Sequence, residues 1–169
     1  MNMNIRTGRI EDLQEIMALV ARCVTVMQAG GSDQWDDQYP NREVIGEDLQ
    51  RGTLFAAEGE GRILGIVVLD ESQAEQYQTI SWKQDEGPHL MMHRLAVDPE
   101  AHGQGIARTL VAFSEEYGAR QGYRSLRLDT YAKNTAALKL YQGLGYDLRG
   151  EVNFPGRAES FPVFEKVLG

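Results

Sequence analysis

The chain has 169 residues, 42% hydrophobic and 25% charged, the proportions of an ordinary soluble globular protein with length for one well-formed core and little room for a second domain. Its formal net charge of −8 argues against non-specific nucleic-acid binding and suits a cationic partner such as an amine. The opening MNMNIRTGRIEDLQEIM has no apolar signal region and no segment approaches the roughly 20 apolar residues that cross a bilayer, so a cytoplasmic protein without membrane association is expected.

A short strand from Met3 to Arg6 is expected to lead into a helix, because Leu13, Ile16, Met17, Val20, Val24 and Met27 repeat at helical spacing. Glu11 and Asp12 suit the positive end of that helix, although no Ser or Thr cap precedes them. Gly30 and Gly31 end it, and Asn41 can cap a second short helix running through Val44, Ile45 and Leu49 to Gly52. Cys23, the single cysteine, has no Cys or His at ligand spacing. It reads as a buried structural thiol, and no metal site is expected.

TLFAAEGEGRILGIVVLDE predicts a hairpin turning at Gly59, Glu60 and Gly61. The polar stretch from Ser72 to Gly87 predicts a loop with a helical turn, anchored by Tyr77, Ile80 and Trp82. HLMMHRLAVDPE then reads as an apolar strand covered on both faces and stopped by Pro99. From Ile106 the period becomes helical through Leu110, Phe113 and Tyr117, ending at Gly122. SLRLDTY predicts a strand, NTAALKLYQGLG a helix capped by Asn134, and SFPVFEKVL a closing strand. This order implies mixed α/β architecture around one β-loop-α-β unit.

The loop HGQGIA at the entry to that central helix raises the question of an anion. Glycines at 103 and 105 let backbone N–H groups converge, and the helix N-terminus adds positive potential. A helix entry can also use glycine for steric reasons alone. A Walker loop would need Lys-Ser/Thr where Ile106-Ala107-Arg108 stand. A dinucleotide fingerprint would need a different loop spacing and a doubly wound sheet, although Asp129 could imitate its acidic residue.

HRLAVDPEAHGQGIARTLV followed by LRLDTYAKNTAALKLYQGLGY resembles the GCN5-related N-acetyltransferase (GNAT) family, whose loop reads Gln/Arg-x-x-Gly-x-Gly/Ala. Here the pattern falls on His102, Gly103, Gln104, Gly105, Ile106 and Ala107, with His102 departing from the family's Gln or Arg. The resemblance extends over essentially the whole chain. It implies one N-acetyltransferase domain over residues 1–169, with a mixed, mostly antiparallel central sheet flanked by helices.

The resemblance further implies acetyl-CoA as acyl donor, its pyrophosphate cradled by residues 102–107 with Arg108. Leu95, Ala96 and Val97 would offer strand-like main-chain contacts, and the Leu95 amide would polarise the thioester carbonyl. Asn134 would reach the cofactor, and Tyr141 would protonate the departing thiolate.

The base is open. His93 is nearest in sequence to the reacting strand, with His89, Asp85 and Glu86 as weaker candidates, and a histidine on an apolar strand can equally be a satisfied core residue. For the acceptor, QWDDQYP offers Trp35, Asp36, Asp37 and Tyr39 as aromatic walls and carboxylates, and NFPGRAES offers Phe154 and Arg157. Trp35 and Tyr39 can equally pin the linker to the core. The expected reaction is direct acetyl transfer to a small primary amine in a ternary complex. The competing readings are a non-catalytic acyl-CoA sensor and a protein or peptide N-acetyltransferase. A homodimer is the default assembly for a soluble enzyme.

Overall fold

The computed structural model describes residues 3–169. Its strands are β1 (Asn4–Thr7), β2 (Leu54–Gly59), β3 (Arg62–Asp70), β4 (His89–Val97), β5 (Ser125–Asp129), β6 (Asp147–Val152) and β7 (Phe161–Val167), in spatial order β1-β2-β3-β4-β5-β7-β6. The helices are α1 (Leu13–Ala29), α2 (Arg42–Gln50), α3 (Ile106–Arg120) and α4 (Thr135–Gly143). The sheet is mixed: β1, β2, β6 and β7 pair antiparallel with their neighbours, and β4 runs parallel to β5.

The chain divides into two compact units, Met1–Leu69 with Arg94–Phe113, and Asp70–His93 with Ser114–Gly169. In the first, the β2–β3 hairpin turns through Glu60 and Gly61, both with positive φ (56° and 75°), as a two-residue turn matched to strand twist requires. Ile16, Leu19, Val20 and Cys23 of α1 bury themselves with Ile45 and Leu49 of α2 against Leu54, Ala56, Ile66 and Val68. Asn41 caps α2 through its side-chain oxygen, which accepts from the Val44 amide at 2.9 Å, a bond of about 1 kcal/mol. Gly65 on β3 explains how closely α3 approaches. A Cβ there would stand 2.9 Å from the Ala96 carbonyl and 3.1 Å from Ile106, so only glycine lets the helix entry settle on the strands.

In the second unit, β5, β7 and β6 form an antiparallel ladder, with Tyr77, Met91, Tyr131, Val152, Phe161 and Val163 as its apolar centre. β6 has no counterpart among the expected elements. Its sequence, DLRGEV, lacks apolar alternation, and pairing with β7 holds it instead. Arg127 is buried among Glu165, the Gln84 carbonyl and Trp82, whose ring lies 3.8 Å from the guanidinium carbon. Glu165 also accepts from the Lys83 and Gln84 amides, so the loop after β3 is tied to the sheet by charge.

Candidate active site

The parallel pairing of β4 with β5 is registered only from His89 to Met91, although β4 continues to Val97. Beyond it, Arg94 takes a left-handed backbone (φ 50°), rare for a residue with a Cβ and more so inside a strand. Its guanidinium compensates: Nε and Nη2 donate to the two oxygens of the buried Asp48 on α2, at 2.8 and 2.7 Å, and Nη1 donates to the Tyr39 hydroxyl at 3.1 Å. Burial works against the Arg94 charge, but those hydrogen bonds prevail and raise its pKa. Leu95 and Val97, which follow this twist, are half-buried, whereas Ala96 is buried in the core.

Asp98 then closes the strand. It is fully buried and receives Arg22 at 2.7 and 3.2 Å, Arg62 at 2.8 Å and the Glu100 amide at 3.0 Å. Burial alone would raise its carboxyl, but the Arg22 hydrogen bonds, the Glu100 amide and Arg62 outweigh that and hold it below the usual carboxylate range. The turn entering HGQGIA is thereby fixed from three sides.

In the loop, Gly103 and Gly105 have φ of 83° and 75°, and a Cβ at either would meet open space. The glycines are therefore required for conformation and not for room. Among the described residues, no backbone or side-chain acceptor takes the N–H groups from Gly103 to Arg108. Thr109 is the first residue of the helix to find a partner, donating both its amide and its hydroxyl to the Gly105 carbonyl. A continuous run of unclaimed donors at a helix N-terminus is a cradle for an anion with several oxygens, and a pyrophosphate fits that donor set. His102 and Gln104 are exposed at its rim, as is Arg108.

The second unit holds His93, Asp129 and Tyr141. His93 places Nε2 2.8 Å from Oδ1 of Asp70, an oxygen that also accepts the Ser72 amide, which leaves Nδ1 without a partner among the described residues. Asp129, at the end of β5, accepts a 2.6 Å hydrogen bond on Oδ2 from the Tyr77 hydroxyl. Burial raises its carboxyl, opposed by the Tyr77 hydrogen bond and by His93.

Asn134 caps α4, its side-chain oxygen accepting from the Ala137 amide at 3.1 Å. Tyr141 is buried against Tyr146 and Phe164, and burial with the nearby Asp129 charge pushes its phenol up. Its hydroxyl has no hydrogen-bond partner among the described residues, yet no side-chain oxygen there is both sealed from solvent and unpartnered.

Trp35 lies in the core with Cys23 and Ile45, the linker-pinning position, whereas Tyr39 is exposed and serves Arg94. Arg157 is half-buried and donates to the neighbouring Gly156 carbonyl, and Phe154 packs on Phe161. His89 is committed to structure, with Nδ1 2.8 Å from Ser125 Oγ and Nε2 3.2 Å from Arg127; Glu86 pairs with Arg124 at the surface. The loop carrying Tyr77 also lines an open cavity of about 450 Å³ with Glu75, Ile80 and Trp82, and Asp129 is not among its walls. Sequence reasoning named Tyr77 only as a loop anchor and missed Asp48 and Arg94.

Residues 13–146 match the model of the Acetyltransferase (GNAT) family. The uncharacterized N-acetyltransferase YesJ of Bacillus subtilis (strain 168) is 24% identical over 160 residues, covering 94% of this chain and 86% of its own length. The structure is similar to that of a GNAT-family acetyltransferase from Streptococcus agalactiae 2603, with a TM-score of 0.86 and 26% identity over 99% of this chain and 96% of that one. It also shares its fold with the PaiA N-acetyltransferase of Thermoplasma acidophilum, solved in complex with coenzyme A, at a TM-score of 0.74 and 18% identity over 99% of both chains. With the family model matched over most of its length and a similar architecture in a solved member, the chain belongs to the GNAT acetyltransferases.

Proposed function

We propose that the protein transfers the acetyl group of acetyl-CoA to the primary amine of a small molecule by direct attack, as a single domain and without a covalent enzyme intermediate. The observation that carries the reading is the run of unclaimed N–H groups from Gly103 to Arg108, a donor set for the pyrophosphate of the acyl donor. His102, Gln104 and the Arg108 side chain rim that cradle. Leu95, Ala96 and Val97 offer main-chain groups to the donor's pantetheine arm. The Leu95 N–H meets negative charge as it develops on the thioester oxygen. The Asn134 amide nitrogen, free of the capping bond, contacts the same arm.

Direct attack requires a neutral amine and a protonated leaving thiolate. His93, whose Nε2 lies 2.8 Å from Asp70 Oδ1, presents Nδ1 as the base toward the incoming ammonium. The freed nitrogen forms the new bond to the acyl carbon as the carbon–sulfur bond breaks, the Tyr141 hydroxyl gives its proton to sulfur, and the second proton that the acylated nitrogen sheds restores the Tyr141 phenol. Burial keeps that phenol protonated throughout the neutral range, as an acid must be. A phenol kept protonated and without a hydrogen-bond partner among the described residues also favours an enzyme over a purely acyl-CoA-binding sensor, which has no use for an acid.

The test is thiol release from acetyl-CoA across polyamines, amino acids, aminoglycosides and peptides. Amine-dependent release with a small primary amine is expected, and tight CoA binding with no release across the panel overturns the reading.

A further inference from the structure

We infer that Asp129, held by Tyr77, is the anchor on which the acceptor docks as an ammonium ion, so that the enzyme selects amines that are cationic in solution. The inference rests on the transferase reading above. Asp129 sits on β5, while Tyr77 lies on the loop between β3 and β4, 52 positions away in sequence. Their 2.6 Å hydrogen bond engages Oδ2 alone. Oδ1 has no partner among the described residues, and Asp129 is half-buried.

A half-buried carboxylate with one oxygen committed and the other without a partner is incompletely solvated, and a cation bearing N–H donors is the species that relieves it. No arginine or lysine of the described chain fills that place. The groups acting on Asp129 are Tyr77, which Arg127 on β5 influences in turn, and His93 of β4 with its partner Asp70. Asp129 in turn acts on Tyr141 of α4. One carboxylate is thus coupled to the group proposed to accept a proton and to the group proposed to donate one. An ammonium on Oδ1 can pass its proton to His93 Nδ1 and leave the nitrogen neutral, its charge no longer needed for docking. Tyr77 is the positioning residue: its hydroxyl fixes the carboxyl rotamer and favours the ionised form.

The experiment measures initial rates for wild type, Asp129→Asn and Tyr77→Phe with an active cationic amine from the panel, as a function of pH. Asp129→Asn should raise the KM for the amine by about 10- to 100-fold, the loss expected for a charge-assisted hydrogen bond, and leave the KM for acetyl-CoA unchanged. Tyr77→Phe keeps the ring and removes the donor, so the acid limb of kcat/KM should move to higher pH. A wild type that acetylates amines but loses nothing for the amine in Asp129→Asn overturns the inference alone, as does an equal rise in both KM values. A wild type that releases no thiol with any amine overturns the transferase reading and the inference with it.

Discussion

Arg94 grips Asp48 with two hydrogen bonds, at 2.8 and 2.7 Å, from a backbone turned to φ 50° inside a strand. The side-chain pair holds a conformation that the backbone of an L-residue disfavours by about 1–2 kcal/mol. Removing the acid leaves a cation with a side chain only 15% exposed and no counter-charge. Asp48→Ala should therefore destabilise the protein by about 3 kcal/mol in urea unfolding. Arg94→Gly, which loses the grip but tolerates the torsion, should be more stable than Arg94→Ala by about 1 kcal/mol. Equal stability of the two Arg94 variants would show that the torsion is not under strain.

The three glycines near the cradle separate conformation from space. Gly103→Ala and Gly105→Ala meet no atom within 4 Å but keep a positive φ, so each should cost about 1 kcal/mol of stability and weaken CoA binding by disturbing the amide run. Gly65→Ala has an ordinary φ but puts a Cβ 2.9 Å from the Ala96 carbonyl, and should cost about 1–3 kcal/mol through overpacking. Thermal unfolding and CoA titration of all three variants would check the contrast.

Much of this was readable in sequence where the signal is local. The Asn41 and Asn134 caps, the hairpin and HGQGIA each occupy a few consecutive residues with a defined conformational demand. Arg94 gave no such signal, because a positive φ in a strand is usually marked by Gly or Asn, and here side-chain bonds to α2 enforce it instead. Asp129 was visible only as an acid after a strand; its partner Tyr77 lies in a loop whose polar sequence predicts little about where it folds. β6 was invisible because its stability comes from a neighbour and not from its own pattern.

His89 sets a pH dependence. Burial, followed by the nearby Arg127 charge, lowers its pKa below 6.5, so the folded protein favours the neutral ring more than the unfolded chain does. Its contribution to stability is complete above pH 6.5 and is lost as pH falls from there through the lowered folded value. The stability difference between wild type and His89→Gln should therefore shrink over that interval. A difference independent of pH between 7 and about 5 would show that His89 is not titrating with folding.

Cys23 should be inert in the native state. Burial pushes its thiol up to about 11, and Sγ donates to the Val97 carbonyl at 3.4 Å. Alkylation at neutral pH should proceed only through unfolding, so its rate should rise with urea and be slowed by bound CoA. Rapid labelling of the folded protein would contradict the burial of α1.

In the proposed cradle, Gly103 and Gly105 would hold the affinity for the anion as torsion angles. A substitution at 102 or 104 changes a side chain that points to solvent and leaves the donor array intact. On the proposed reading, His102 would be a permitted spelling of the same backbone instruction. Drift in this loop should accumulate at its exposed letters and spare the two that have none.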